Sequence, residues 1–178
     1  MADVLSKILK DNLFAVLSRA QPPDSPIIAS GWAGLAFDRN RYEDLAPVDV
    51  WRAWFNVYNQ QPSASHAIGV VSLDEVSRGE NGVKLAPSLA SLREYWSADS
   101  RFLRDHYVFA PDFTWVIRLD QDVTLFAAQL EFMSAVVARL DGLDSVMERM
   151  VDDFDPGEGD PVGLTGFLLG ITKGLRVG

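Results

Sequence analysis

Apolar residues recur along this chain with two periods, and the period changes where glycine or proline intervenes. Over residues 3–19, Leu5, Leu9, Leu13, Val16 and Leu17 fall on one face while Lys7, Lys10 and Asp11 fall elsewhere, which predicts an amphipathic helix. The prolines of QPPDSP (21–26) end it, because each fixes φ and removes a donor. The apolar, glycine-broken IIASGWAGLAF (27–37) reads equally well as strand or loop, and the polar DRNRYEDLAP (38–47) is expected at the surface. A second helix starts at Pro47, a residue favoured at the first helical position, and runs through VDVWRAWFNVYNQ. Its Trp51, Trp54, Phe55 and Tyr58 follow i, i+3, i+4, i+7 spacing, the mark of a core-facing stripe. HAIGVVSL (66–73), rich in β-branched residues, predicts a strand; SRGENG (77–82) predicts a loop; residues 88–107 predict one or two short helices.

The stretch VFAPDFTWVIRLDQDVTLFA (108–127) is less easily read. Phe113, Trp115, Ile117 and Leu119 alternate with Thr114, Val116 and Arg118, a period of two that predicts a strand. Beyond Asp122 two patterns compete. VTLFAA returns as the second strand of a hairpin if DQD is a turn. Phe126, Leu130, Met133, Val137 and Leu140 instead repeat with helical spacing, and we favour a helix over about 124–140. LDSVMERMVDDF continues as helix after Gly142, DPGEGDP (155–161) is loop, and VGLTGFLLGITKGLRVG is expected to dock as a terminal helix. No internal repeat breaks the chain into units. Together these elements predict one globular domain over 1–178, an α+β fold that is mostly helical around a small antiparallel sheet.

Composition narrows the function. With 48% hydrophobic and 23% charged residues, the 178-residue chain has material for a real core. A net charge of −9 argues against nucleic acid and anionic membrane surfaces, and favours a basic partner. The absence of cysteine excludes disulfides, thiolate nucleophiles and cysteine-ligated zinc. Charges at Asp3, Lys7, Lys10 and Asp11 interrupt the apolar run that a signal peptide needs, and no run approaches a membrane span, so a cytoplasmic location is expected.

Catalytic signatures are scarce. Neither a phosphate-binding glycine loop nor a G-x-S-x-G elbow occurs, and no cofactor is implied. His66 and His106 are the only histidines and read as surface or hydrogen-bonded structural residues. The acidic run Asp152, Asp153, Asp155, Glu158, Asp160 fails the EF-hand pattern, because Glu158 falls where the loop turn needs glycine. Carboxylates at a helix C-terminus oppose the dipole, and nothing near them in sequence offsets that, so an external basic partner is one explanation for Asp152, Asp153 and Asp155. Asp120 and Asp122, two residues apart, project from one turn. Ordinary turn chemistry is their simplest reading, contact with a partner the next, and general acid–base work the last.

The segment FAPDFTWVIRLDQDVTLFA (109–127) resembles the small acidic immunity proteins of bacterial polymorphic-toxin and contact-dependent-inhibition systems, several of which have an aromatic residue, an acidic turn, a Trp-containing strand, a second acidic turn and an aliphatic strand in succession. The matching residues are Phe109, Asp112, Trp115, Asp120, Asp122 and Leu125. The resemblance implies a non-catalytic protein that neutralises a basic toxin by occluding it. A basic protein partner docking on Asp120, Asp122, Asp152, Asp153 and Asp155 is therefore the leading expectation. A small hydrolase using carboxylates and a histidine is one alternative, and a subunit that self-associates through its glycine-rich tail is another.

Overall fold

The computed structural model describes residues 2–62, 64–154, 159 and 161–175. Helix α1 (Ala2–Val16) leads by way of a single bridge between Leu17 and Ile27 into strand β1 (Trp32–Asp38) and a 3₁₀ turn at Arg39–Arg41. Then come α2 (Val48–Gln60), β2 (Ile68–Ser72), α3 (Leu73–Ser77), β3 (Val83–Leu85) and α4 (Leu89–Ser97). The second half holds β4 (His106–Phe109), β5 (Trp115–Leu119), β6 (Val123–Gln129), α5 (Leu130–Ala138), α6 (Leu143–Asp153) and α7 (Pro161–Ile171). Among the described residues the strands form one antiparallel sheet in the order β1-β6-β5-β4-β2-β3, so the fold is α+β.

Register decides which side chains meet. Ile117 lies opposite Phe126 and Phe126 opposite Leu35, so Trp115, Ile117, Phe126 and Leu35 share one face of the sheet. The aromatic stripe of α2 packs there, with Trp51 on Phe126 at 4.9 Å, Trp54 on Trp115 at 5.6 Å and Tyr58 on Trp115 at 5.3 Å. Phe132 of α5 closes the cluster at 4.8 Å from Trp54. These edge-to-face contacts make α2 the centre of the core, as its spacing predicts. The opposite face carries Val116, Arg118 and Tyr107; Phe14 of α1 meets Tyr107 edge-on, and Arg118 donates to the Ser18 carbonyl at 2.8 Å.

Helix α6 seals an edge. On β1, the Ala36 and Asp38 amides point away from β6, and α6 supplies their acceptors: Met150 Sδ at 3.2 Å and Asp153 Oδ2 at 2.6 Å. Met150 and Asp153 are three residues apart, on one face of α6, which is how a helix lies along a strand edge and removes it as a pairing site.

The favoured helix over 124–140 is overturned. Residues Val123–Gln129 are a strand paired on both sides, with β5 and with β1, and the helix begins only at Leu130. A central strand covered on both faces shows no polar alternation, so its apolar run passed for a helical stripe. The polar segment 38–47 is not a surface loop either: Arg39, Asp44, Leu45 and Ala46 are buried, with Asp44 held by a two-toothed bond from Arg93 at 2.7 and 2.8 Å. The apolar residues Phe167, Leu168 and Ile171 dock α7 on the core.

Candidate functional site

Three connected hollows lie at one end of the sheet, where β4 starts and where β1 and the β5–β6 hairpin turn. One, about 330 Å³, has the apolar residues Val123, Phe154, Leu164 and Phe167 in its lining, with Pro22, Asp38, Asn40 and Asp122 around them. It shares Pro22, Asp122 and Val123 with a polar trough of about 480 Å³ lined also by Gln21, Asp105, Asp120 and Gln121. The trough in turn shares Gln21, Asp105 and Asp120 with a recess of about 100 Å³ bounded by Arg19, His106 and Arg118.

Asp120 builds the turn rather than facing outward. Its Oδ1 accepts the Asp122 and Val123 amides at 3.1 and 2.9 Å, closing the hairpin in the way a short acidic side chain does. Its Oδ2 lies 3.2 Å from Arg118 Nη2 but accepts no hydrogen bond, and the residue is only 8% exposed. Behind the turn, the buried Arg39 donates to the carbonyls of Asp120, Phe102 and Arg104. Burial lowers the Arg39 pKa, and Asp105, Asp120 and Asp122 work against that. Arg39 thus ties the ends of β1, β4 and β5 together.

Asp122 is exposed; its Oδ1 takes the Asn40 amide at 3.4 Å. Asp38, half-buried, accepts the Asn40 backbone N–H at 2.9 Å and caps the 3₁₀ turn. Sequence reasoning missed Asp38 and Asp105, which only the sheet register brings beside the hairpin turn.

The acids at the end of α6 divide in the same way. Asp153 is 5% exposed and accepts from the Asp38 amide and the Tyr42 hydroxyl. Asp152 is exposed on the solvent face with Asp144 and Glu148. The dipole expectation needs correcting. Arg41 donates to the Asp152 carbonyl at 2.9 Å and stands 3.8 Å from Asp153 Oδ1, so the chain supplies its own cation to this helix end from far away in sequence. Asp155, Glu158 and Asp160 lie outside the described residues. No cluster of metal-ligating side chains occurs among the described residues.

Of the five acids predicted to meet a partner, Asp120 and Asp153 are therefore committed internally, and Asp122 and Asp152 are free to face outward. The fold also brings the two predicted regions together, since Asp122 of the hairpin and Phe154 at the end of α6 border the same hollow.

The histidines differ. His66 is exposed. His106 is 1% exposed, with Nδ1 3.0 Å from the Arg104 carbonyl and Nε2 3.1 Å from the Tyr95 hydroxyl. A carbonyl only accepts, so Nδ1 carries the proton and Nε2 accepts from Tyr95. Burial drives the His106 pKa down to about 4, with the Arg104 carbonyl opposing. Next to it, burial and then the charge of Asp120 raise the Asp105 pKa, against Arg39, Arg118 and Arg19.

No protein-family model, curated protein or solved structure matches this chain. No helix among the described residues is long and apolar enough to cross a membrane.

Proposed function

We propose that this is a non-catalytic binding protein that occludes a basic protein partner, with neutralisation of a bacterial toxin the role that the immunity-protein resemblance implies. One observation carries the reading: a largely apolar hollow has Asp38 and Asp122 on its rim, at one end of a chain with net charge −9. Apolar linings supply affinity once water leaves, and unpaired rim charges raise the association rate of an oppositely charged partner. Capture from source cells at low and high salt identifies the partner, and stopped-flow association of the purified pair tests the reading. Asp122→Asn is expected to slow association about twofold to tenfold at low salt and to flatten the salt dependence. An unchanged rate and salt slope refute the reading.

A hydrolase draws support from one feature, the meeting of Asp105, Asp120 and His106 around the smallest recess. Both His106 nitrogens are already engaged, so Asp105, with its raised pKa, is the acid–base group this reading rests on. Turnover of ester, amide or glycoside substrates that disappears in Asp105→Asn, with folding intact, would establish this reading in place of the first.

A further inference from the structure

The hollow beside α7 combines two kinds of wall that one protein side chain matches. Val123, Phe154, Leu164 and Phe167 offer hydrocarbon and two aromatic rings, and Asp38 and Asp122 offer carboxylates. Neither carboxylate is ion-paired among the described residues. The neighbouring arginines are spent elsewhere, Arg39 on three carbonyls and Arg41 on the Asp152 carbonyl. At about 330 Å³ the hollow takes one long side chain rather than a folded segment.

We infer that this hollow is the anchor site for a single arginine side chain of the protein partner. This deepens the binding-protein reading and rests on it. The trimethylene stem matches Val123 and Leu164. The flat guanidinium suits the rings of Phe154 and Phe167, and its five N–H donors suit two separated carboxylates better than the compact ammonium of lysine does.

The test uses N-acetyl-arginine amide and its uncharged analogue N-acetyl-citrulline amide, titrated into the full chain with the methyl signals of Val123 and Leu164 read by NMR. The arginine probe is expected to shift both residues saturably and to bind at least about tenfold more tightly than the citrulline probe. Asp38→Asn with Asp122→Asn should remove that advantage, and Leu164→Trp, which fills the hollow without changing charge, should abolish binding. Equal binding of the two probes, shifts confined to other residues, or full binding by a folded Leu164→Trp protein would overturn the inference. If Leu164→Trp loses the probe yet binds the captured partner with the wild-type Kd, the anchor role fails and the binding-protein reading stands. If the probe binds as expected and no basic partner is captured, that reading fails while the hollow remains a guanidinium site.

Discussion

His106 makes folding stability depend on pH over a definite window. The ring is buried, donates from Nδ1 to the Arg104 carbonyl, accepts at Nε2 from Tyr95, and packs against Trp96 at 4.9 Å. Protonation would place a second N–H against the Tyr95 oxygen and a charge in an aromatic box. Its folded pKa is about 4, against 6.5 for the free side chain. A group whose folded pKa is depressed contributes stability above its unfolded value and loses it as pH falls through the folded one. The unfolded chain takes up a proton near pH 6.5 that the native state refuses until near pH 4. At ~1.4 kcal/mol per unit, the difference amounts to about 3 kcal/mol lost between pH 7 and pH 4. For a domain of this size that corresponds to roughly 6–12 °C in Tm. Urea melts from pH 7.5 to 4 on the wild type and on His106→Gln read it directly, because carboxylate contributions cancel in the difference. The wild type is expected to lose about 3 kcal/mol more than the variant across this range. A difference flat in pH, or an NMR titration of His106 near pH 6.5, would refute the reasoning.

Two further substitutions test the frame around the site. Asp153→Ala strands the edge amide of Asp38 and the Tyr42 hydroxyl, and chemical denaturation should show a loss of about 2–4 kcal/mol; a loss under 0.5 kcal/mol would mean that α6 does not seal this edge. Gly69→Ala puts a Cβ 2.2 Å from Phe109, whose ring is stacked on Phe113 at 5.3 Å and has little room to move, so a loss of about 1–3 kcal/mol in thermal melts is expected, and neutrality would show that the ring yields.

Helix α2 was legible because it buries one dominant face. In α2, Trp51, Trp54, Phe55 and Tyr58 advertise a single stripe, and that stripe is the centre of the core. Strand β5 was legible despite being buried on both faces, because Arg118 interrupts its apolar run; it reaches the Ser18 carbonyl and Asp120. Strand β6 has no such interruption: Thr124, its one hydroxyl, is buried and donates to the Leu45 carbonyl, so nothing polar marked either face. Helix α3 was overlooked although its signal was present. Ser72 and Glu75 form a reciprocal capping box at its start, and the S-x-x-E spacing can be read from the chain. Strands β3 and β4, of 3 and 4 residues, are too short for a period to register, and only their neighbours define them.

The site was legible in its residue types but not in their division of labour. Sequence spacing treats Asp120 and Asp122 as equals on one turn, yet in a tight hairpin the first acid turns inward to accept amides and the second turns out. Asp152 and Asp153 part for a helical reason: adjacent residues on a helix point about 100° apart, so one lies along the β1 edge and the other in solvent. In each of these two pairs one carboxylate is spent on a turn or strand edge and the other faces outward. Asp38 follows from the same logic. Its own amide is satisfied by Asp153, its Oδ1 caps the turn that carries Arg39, and Arg39 fastens the Asp120 carbonyl. The rim carboxylates at Asp38 and Asp122 are thus held by the buried acids beside them, and under the proposed binding role a pre-positioned rim would lose less conformational entropy on docking a cation than a flexible acidic tail would.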